Sequence, residues 1–365
     1  MGVTTKPKSY LDFVNENLQS FKEIVSNSFD SVIKNKKNIL SKLKILLIVS
    51  IVLLVLGGIG LILSFFFFIK TNSKNTAIFA GLIISAIVTG IGSIVLSVFL
   101  GKRKKLFKEL KHVLDKEKLF DKAFEKLSYK AIDPNDPEQA QLLEKFKQGY
   151  DKNRDCLDWV DHIPGAYWIP SDANVDSTGK IYFVMDKNEN PWVIQTVRYH
   201  WVREERDLKG NITIRHIYDY ATLFEGIFYS LPKSKNFTLA IGNRCGLTNN
   251  LKQNIKYENQ EFDKLFKAYC SDSLKGHNIY QPYPMEITLE HCKQNKSYVK
   301  SFGMLLDDQN IKCWVRPRGS ILEIDMPSNT INKDKIVKTV CKDILEDTYS
   351  VYWLFSLLTI PGYFN

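Results

Sequence analysis

A chain of 365 residues, 44% apolar and 25% charged, is long enough for a sizeable core and too apolar for a disordered polymer. Its net charge of +10 would suggest a nucleic-acid partner if the excess were spread over the folded part. Residues 1–44 carry eight lysines against four acids, 45–101 carry two lysines, and 102–130 carry eleven Lys and Arg against five acids. The remainder, from 131 onward, therefore comes to −2, which argues against nucleic acid there.

The N-terminal stretch places Leu11, Val14, Leu18, Phe21, Val25 and Val32 at alternating three- and four-residue steps, with Ser28 the one polar step. That spacing predicts an amphipathic helix within residues 1–44. Ile45–Ile69 and Ala77–Leu100 then contain no charged residue. Each exceeds the roughly 20 residues a helix needs to cross a bilayer core. The gap Lys70–Asn75 leaves room only for a tight turn, so two transmembrane helices over 45–69 and 77–100 form a hairpin.

Lys34, Lys36, Lys37, Lys42 and Lys44 precede the first span, and Lys102, Arg103, Lys104, Lys105, Lys108 and Lys111 follow the second. The turn offers only Lys70 and Lys74, so both termini are expected on the cytoplasmic side of a cell membrane. The apolar run starts too late and runs too long for a cleaved signal peptide. Lys102, Arg103, Lys104 and Lys105 are the candidates for contact with anionic headgroups. Gly81, Ser85, Thr89, Ser93 and Ser97 form a small-residue column in the second span, answered by Gly57, Gly60 and Ser64 in the first. Such columns let two helix backbones approach closely. With no ionisable side chain in either span, the hairpin reads as an anchor rather than an ion path.

Residues 102–130 repeat the amphipathic pattern through Leu106, Leu110, Val113, Phe120, Phe124 and Leu127, interrupted by Glu117. This basic helix is expected to pair antiparallel with the N-terminal one as a stalk. The alternative is two separate helices lying on the headgroups or on the globular domain.

The globular part, 131–365, opens at the helix breaker Ala131–Gln139, with Asp136 as N-cap, Pro137 at the first helical position and a helix to about Gly149. Beyond it the texture is β. "IYFVMD" and "WVIQTVRYHWV" flank the turn "KNENP", followed by "ITIRHIYDYATLFEGIFYSL" and "FTLAIG". "IKCWVRP" and "ILEIDM", joined by "RGS", read as a further hairpin. Helices are expected at Met285–Gln294 and from Lys333 to about Leu358, the latter buried along Val337, Val340, Ile344, Tyr352 and Phe355. The fold class is α+β: a transmembrane hairpin with flanking amphipathic helices, then an antiparallel-sheet domain with a long C-terminal helix.

Candidate chemistry is thin. Cys156, Cys245, Cys270, Cys292, Cys313 and Cys341 stand singly and read as reduced, small apolar residues. His200 and His216 face each other across adjacent strands, but two imidazoles without a third ligand fall short of a metal site. His291 and Cys292 are neighbours in a helix and point to different faces. Cys270, Asp272 and His277 form the one local set of nucleophile, acid and base, and the same residues fit a buried cysteine before a polar turn. Tyr167, Trp168, Trp192, Tyr199, Trp201, Tyr218 and Tyr220 read as core and sheet face. No catalytic residue, metal or cofactor is assigned.

"LFEGIFYSLPKSKNFTLAI", "YENQEFDKLFKAYCSD", "IYQPYPMEITLEH" and "CWVRPRGSILEIDM" together resemble a bacterial family known only as domain of unknown function 3137. The family pattern matches Phe224, Gly226 and Phe228, then Glu261 with Phe262 and Phe266, then Ser271 with Asp272, and Pro284 with Met285 opening a helix. The resemblance spans about Thr222–Met326 and implies two upstream spans but no activity; "QPYP" departs from the more usual Thr-Pro. Each matched residue also has a structural role open to it. Gly226 would relieve a crowded strand, Phe262 and Phe266 would fill one core pocket from a single turn, and Asp272 would cap a turn. The expectation is a membrane-anchored, non-enzymatic binding or scaffolding protein that takes a protein partner or self-associates through the stalk. The alternatives are a membrane-proximal hydrolase-like enzyme and a lipid or small-ligand binding domain.

Overall fold

The computed structural model describes residues 8–34, 36, 38–70, 76–133, 136–141, 150–151, 154–206, 210–229, 237–243, 251, 253–294, 302–317, 321–328 and 330–363. The turn 71–75, the helix expected over 142–149, the "RGS" turn 318–320 and Cys245 lie outside them. Helices are α1 (Tyr10–Lys34), α2 (Ile39–Lys70), α3 (Thr76–Lys116), α4 (Leu119–Glu125), α5 (Pro137–Ala140), α6 (Gln260–Leu265), α7 (Ser273–Ile279), α8 (Pro282–Gln294) and α9 (Lys333–Tyr363). Strands are β1 (Lys130–Ala131), β2 (Tyr150–Asp151), β3 (Cys156–Leu157), β4 (Asn174–Thr178), β5 (Tyr182–Met185), β6 (Pro191–Arg206), β7 (Ile212–Ile227), β8 (Thr238–Asn243), β9 (Gln253–Ile255), β10 (Lys267–Cys270), β11 (Phe302–Asp307) and β12 (Asn310–Val315). The chain forms two compact units, one of residues 1–16, 120–323 and 344–365, the other of 17–119 and 324–343.

In the second unit α2 and α3 form the apolar hairpin. A β-carbon on Gly57 would lie 2.8 Å from the Thr89 backbone nitrogen, inside contact distance, so only glycine permits this approach. Gly60 faces the Ser85 side chain, and a β-carbon on Gly81 would lie 3.0 Å from the Ser64 hydroxyl, side chains that can give where backbone cannot. The small-residue column expected along the whole span holds only over its first half. Ser93 and Ser97 are exposed, and Gly92 and Phe99 take over the buried face. The cause is geometric: steps of four residues rotate about 40° past a full turn, so a strict column drifts off the interface. The exposed hydroxyls bond back to their own helix, Ser93 Oγ to Thr89 O and Ser97 Oγ to Ser93 O, each at 3.0 Å.

The expected stalk helix 102–130 is two pieces. α3 ends at Lys116, Lys118 adopts φ 48°, and α4 restarts at Leu119. The break coincides with Glu117, the one polar interruption of the apolar pattern. Upstream, Leu106, Leu110 and Leu114 are fully buried, and Lys36 pairs with Glu109. α1 begins with Ser9 as its cap: Ser9 Oγ accepts the Asp12 N–H and donates to the Asp12 carboxylate. Phe21, Val25 and Ser28 of the expected stripe are buried, with Val14, Leu18 and Val32 half-buried; Phe13, Asn17 and Phe29 join them on the inward face, while Leu11 is exposed. Tyr10 and Phe13 pack on Tyr349 in the first unit, and Asp30 pairs with Lys333 at 2.7 Å in the second.

In the first unit ten strands among the described residues form one antiparallel sheet, in the order β1-β5-β6-β7-β12-β11-β8-β10-β9, with β4 added to β6. The β5–β6 hairpin is turned by Asp186, whose carboxylate accepts the N–H groups of Asn188 and Asn190, each at 2.9 Å. β12 does not pair with "ILEIDM". Both of its edges are taken, by β7 and by β11, a strand the sequence reading missed. "ILEIDM" runs instead as irregular chain held by side chains: Thr196 Oγ1 and Tyr182 Oη donate to the Ile321 and Leu322 carbonyls, and Asp347 accepts the Leu322 N–H.

The two faces of the sheet are covered differently. Phe224, Gly226 and Phe228 share one face with Trp192, and Phe355 of α9 packs there, its ring centre 4.8 Å from Trp192 and 5.6 Å from Phe224. On the other face Trp159, Val160, Ala166 and Trp168 close over Val193, Val197, Tyr199, Leu223 and Trp314. Gln195, fully buried, fixes that cover by accepting the Leu157 N–H at 3.1 Å and donating to Asp155 O and Gly179 O.

Trp192 stands directly opposite Gly226, and a β-carbon at Gly226 would fall 2.5 Å from ring atom Cζ3. Gly226→Ala should therefore destabilise the sheet unit by about 1–3 kcal/mol. Urea unfolding followed by tryptophan fluorescence is the measurement; an unchanged midpoint would refute the packing.

Candidate functional site

The strongest candidate is the surface of the α2–α3 hairpin. Both helices are long and apolar enough to cross a membrane, and only 11% of each apolar stretch is buried. A core helix of a soluble protein would be mostly buried. Here Ile48, Ile51, Val55, Ile59, Ile62 and Phe66 of α2 are all exposed. Only lipid solvates so continuous an apolar belt without penalty. The protein is thus membrane-associated, with two spans.

At the end of the second span Lys102, Lys104 and Lys105 are exposed cations. Arg103 behaves differently: its guanidinium donates to Pro327 O at 2.5 Å and lies over the Phe107 ring at 4.8 Å. It braces the helix rather than reaching outward.

The set Cys270, Asp272 and His277 does not assemble. Asp272 is the N-cap of α7, its carboxylate accepting the Leu274 and Lys275 N–H groups at 3.0 and 3.3 Å. Cys270 is buried, and desolvation pushes its thiol pKa up, away from nucleophilic use. His277 is exposed and lies edge-on to Tyr257. Among the described residues no hydrogen bond joins the thiol to the imidazole. Cys156, Cys292, Cys313 and Cys341 are also buried.

His200 and His216 do meet. Their Nε2 and Nδ1 atoms are 2.9 Å apart with the rings stacked, and Tyr218 stacks on His200. No third ligand stands beside them, and among the described residues no group of three metal-ligating side chains exists. Trp168, Trp192, Tyr199 and Trp201 are buried, while Tyr167 and Tyr218 are exposed.

The remaining singled-out residues sit in the fold as follows. Phe262 and Phe266 are buried with ring centres 4.8 Å apart, Phe262 in α6 and Phe266 as its C-cap. α8 opens at Pro282 rather than at Pro284, which lies within its first turn, where a missing N–H costs nothing. One polar position, Glu225, went unnoticed in the sequence, and a second, His291, was weighed only as the neighbour of Cys292. Glu225 is a half-buried carboxylate that accepts the Trp159 indole N–H at 2.9 Å. Burial raises its pKa, while Lys312 across the ladder pulls it back down. His291 is buried and stacks on Trp353; its Nε2–H donates to Trp353 O at 2.8 Å while the Trp353 indole donates to His291 O. A charged or imidazole residue at a position that alternation marks as inward is the only signal a sequence offers for either.

Residues 208–348 match the family model of DUF3137, a family of proteins of unknown function. That region is wider than the Thr222–Met326 resemblance and covers less than half of the chain, to which the family is similar without defining it. No curated protein and no solved structure matches the chain.

Burial holds the His291 imidazole down to about 4. The unfolded chain binds a proton near pH 6.5 and the folded one does not, so stability is complete above that pH and falls as pH drops towards 4. The loss should reach about 2 kcal/mol by pH 5. His291→Gln keeps a donor for Trp353 O and should flatten that part of the pH dependence in urea unfolding between pH 7 and 5; an unchanged slope would refute the assignment.

Proposed function

We propose that the protein is a two-span membrane anchor with both termini on the cytoplasmic side, carrying an α+β domain that works as a non-catalytic binding or scaffolding module. The observation that carries the reading is the exposed apolar hairpin. A second supports the even number of spans. Lys8 N–H donates to Tyr352 Oη at 2.7 Å and Tyr349 Oη donates to Lys8 O at 2.8 Å, and this contact between segments before and after the hairpin favours their lying on one side of a bilayer. The cation bias of the flanks over the turn favours the cytoplasmic side. Lys102, Lys104 and Lys105 supply charge for anionic headgroups at about 1 kcal/mol each. Arg103, bound to Pro327 O, contributes less of its charge to lipid.

The engaged state of Asp272 and the buried Cys270 thiol favour binding over hydrolysis. The module is expected to take a protein partner or a second copy of itself.

Two measurements test the anchor. The chain should stay with vesicles through alkaline carbonate extraction, and a reporter fused after Asn365 that works only in the cytoplasm should be active. Release by carbonate, or an active reporter of the outer compartment, would overturn the topology.

A further inference from the structure

The β6–β7 hairpin is longer than the sheet that supports it. β7 has 16 residues, and β12 pairs only with Thr222–Ile227. Among the described residues no strand occupies the outer edge of Ile212–Asp219, whereas at Tyr220 the N–H already donates to Asp219 Oδ1 at 2.8 Å and the C=O accepts the Trp168 indole N–H at 3.3 Å. That run lacks lysine and proline, has Arg215 and Asp219 as its charges, and exposes Ile212, Ile214 and Tyr218 at 53%, 61% and 51%.

We infer that the outer edge of β7, Arg215–Asp219, pairs antiparallel with the same edge of a second copy of this chain, with Ile217 on the two-fold axis. The choice of occupant and register comes from charge. In a self-paired antiparallel ladder, residues directly opposite share a face and interact most strongly. An axis at Arg215 would set that guanidinium against its own copy. An axis at His216 would set the two imidazoles together and leave Asp219 opposite Thr213. An axis at Ile217 places Arg215 opposite Asp219 of the second copy twice over, with His216 opposite Tyr218. Within one chain Arg215 already donates to Glu205 at 3.1 Å and Arg316 donates to Asp219 at 2.6 Å. The pairing would therefore extend these into one alternating row: Glu205, Arg215, then Asp219 and Arg316 of the second copy. The apolar residues of the other face would be covered in the same step.

This inference rests on the binding-module reading and locates self-association in the sheet instead of the helical stalk. Ile217→Cys in the full-length chain, treated with a short bis-maleimide in native membranes, should give a species of twice the chain mass absent from the wild type. Adding Ile214→Lys or Arg215→Asp, each at an exposed position, should lower the cross-linked fraction about ten-fold. No doubled species, a product of any other mass (a foreign extended peptide on the edge), or indifference to both second substitutions would overturn it. Mass measurement of the wild type in detergent separates the two levels. A dimer that Ile217→Cys fails to capture removes the edge but leaves self-association, whereas a partnerless monomer removes both.

Discussion

Phe355 is the contact on which the sheet unit turns. From Val351 to Ile360 nearly every residue of α9 is buried, so this half of the helix has no polar face to show and must be surrounded. The sheet answers with a hollow: Gly226 lets the Trp192 ring lie flat across β7, and Phe355 seats against Trp192, Phe224 and Tyr129. Gly362 takes up the same demand one step on, since a β-carbon there would sit 2.6 Å from the Phe228 ring. The alternation of Phe224, Gly226 and Phe228 is therefore the imprint of one helix on one strand.

What the sequence disclosed follows from which forces act locally. The two spans and the long helices were legible because periodicity and the absence of charge are properties of consecutive residues. The β5–β6 hairpin was legible through its turn chemistry at Asp186. "ILEIDM" misled because alternation reports a buried face and not a partner; β11, already on that edge, arrives from elsewhere in the chain. β11 itself carried a signal in the two-residue turn Asp308-Gln309, with Asp308 at φ 57°. The small-residue column failed halfway for want of allowing for helical drift. Glu117 was noticed and undervalued: one acid in an apolar stripe marked the end of a helix.

The candidate site divides in the same manner. The lipid-facing belt was plain from composition alone. The fates of Cys270, Asp272 and His277 were not, because capping and desolvation depend on where α7 begins and on what covers the thiol. Arg103 shows the same limit within one basic cluster: it stands between exposed lysines in sequence, yet Pro327, 224 residues away, claims its guanidinium.

The docking of Lys8, Tyr10 and Phe13 onto Tyr349 and Tyr352 has a consequence for synthesis. Residues 8–13 precede the hairpin in the chain, and the tyrosines that receive them lie 341 and 344 residues beyond Lys8. This contact can therefore form only once synthesis has passed Tyr352, and until then Tyr10 and Phe13 lack the ring they pack on.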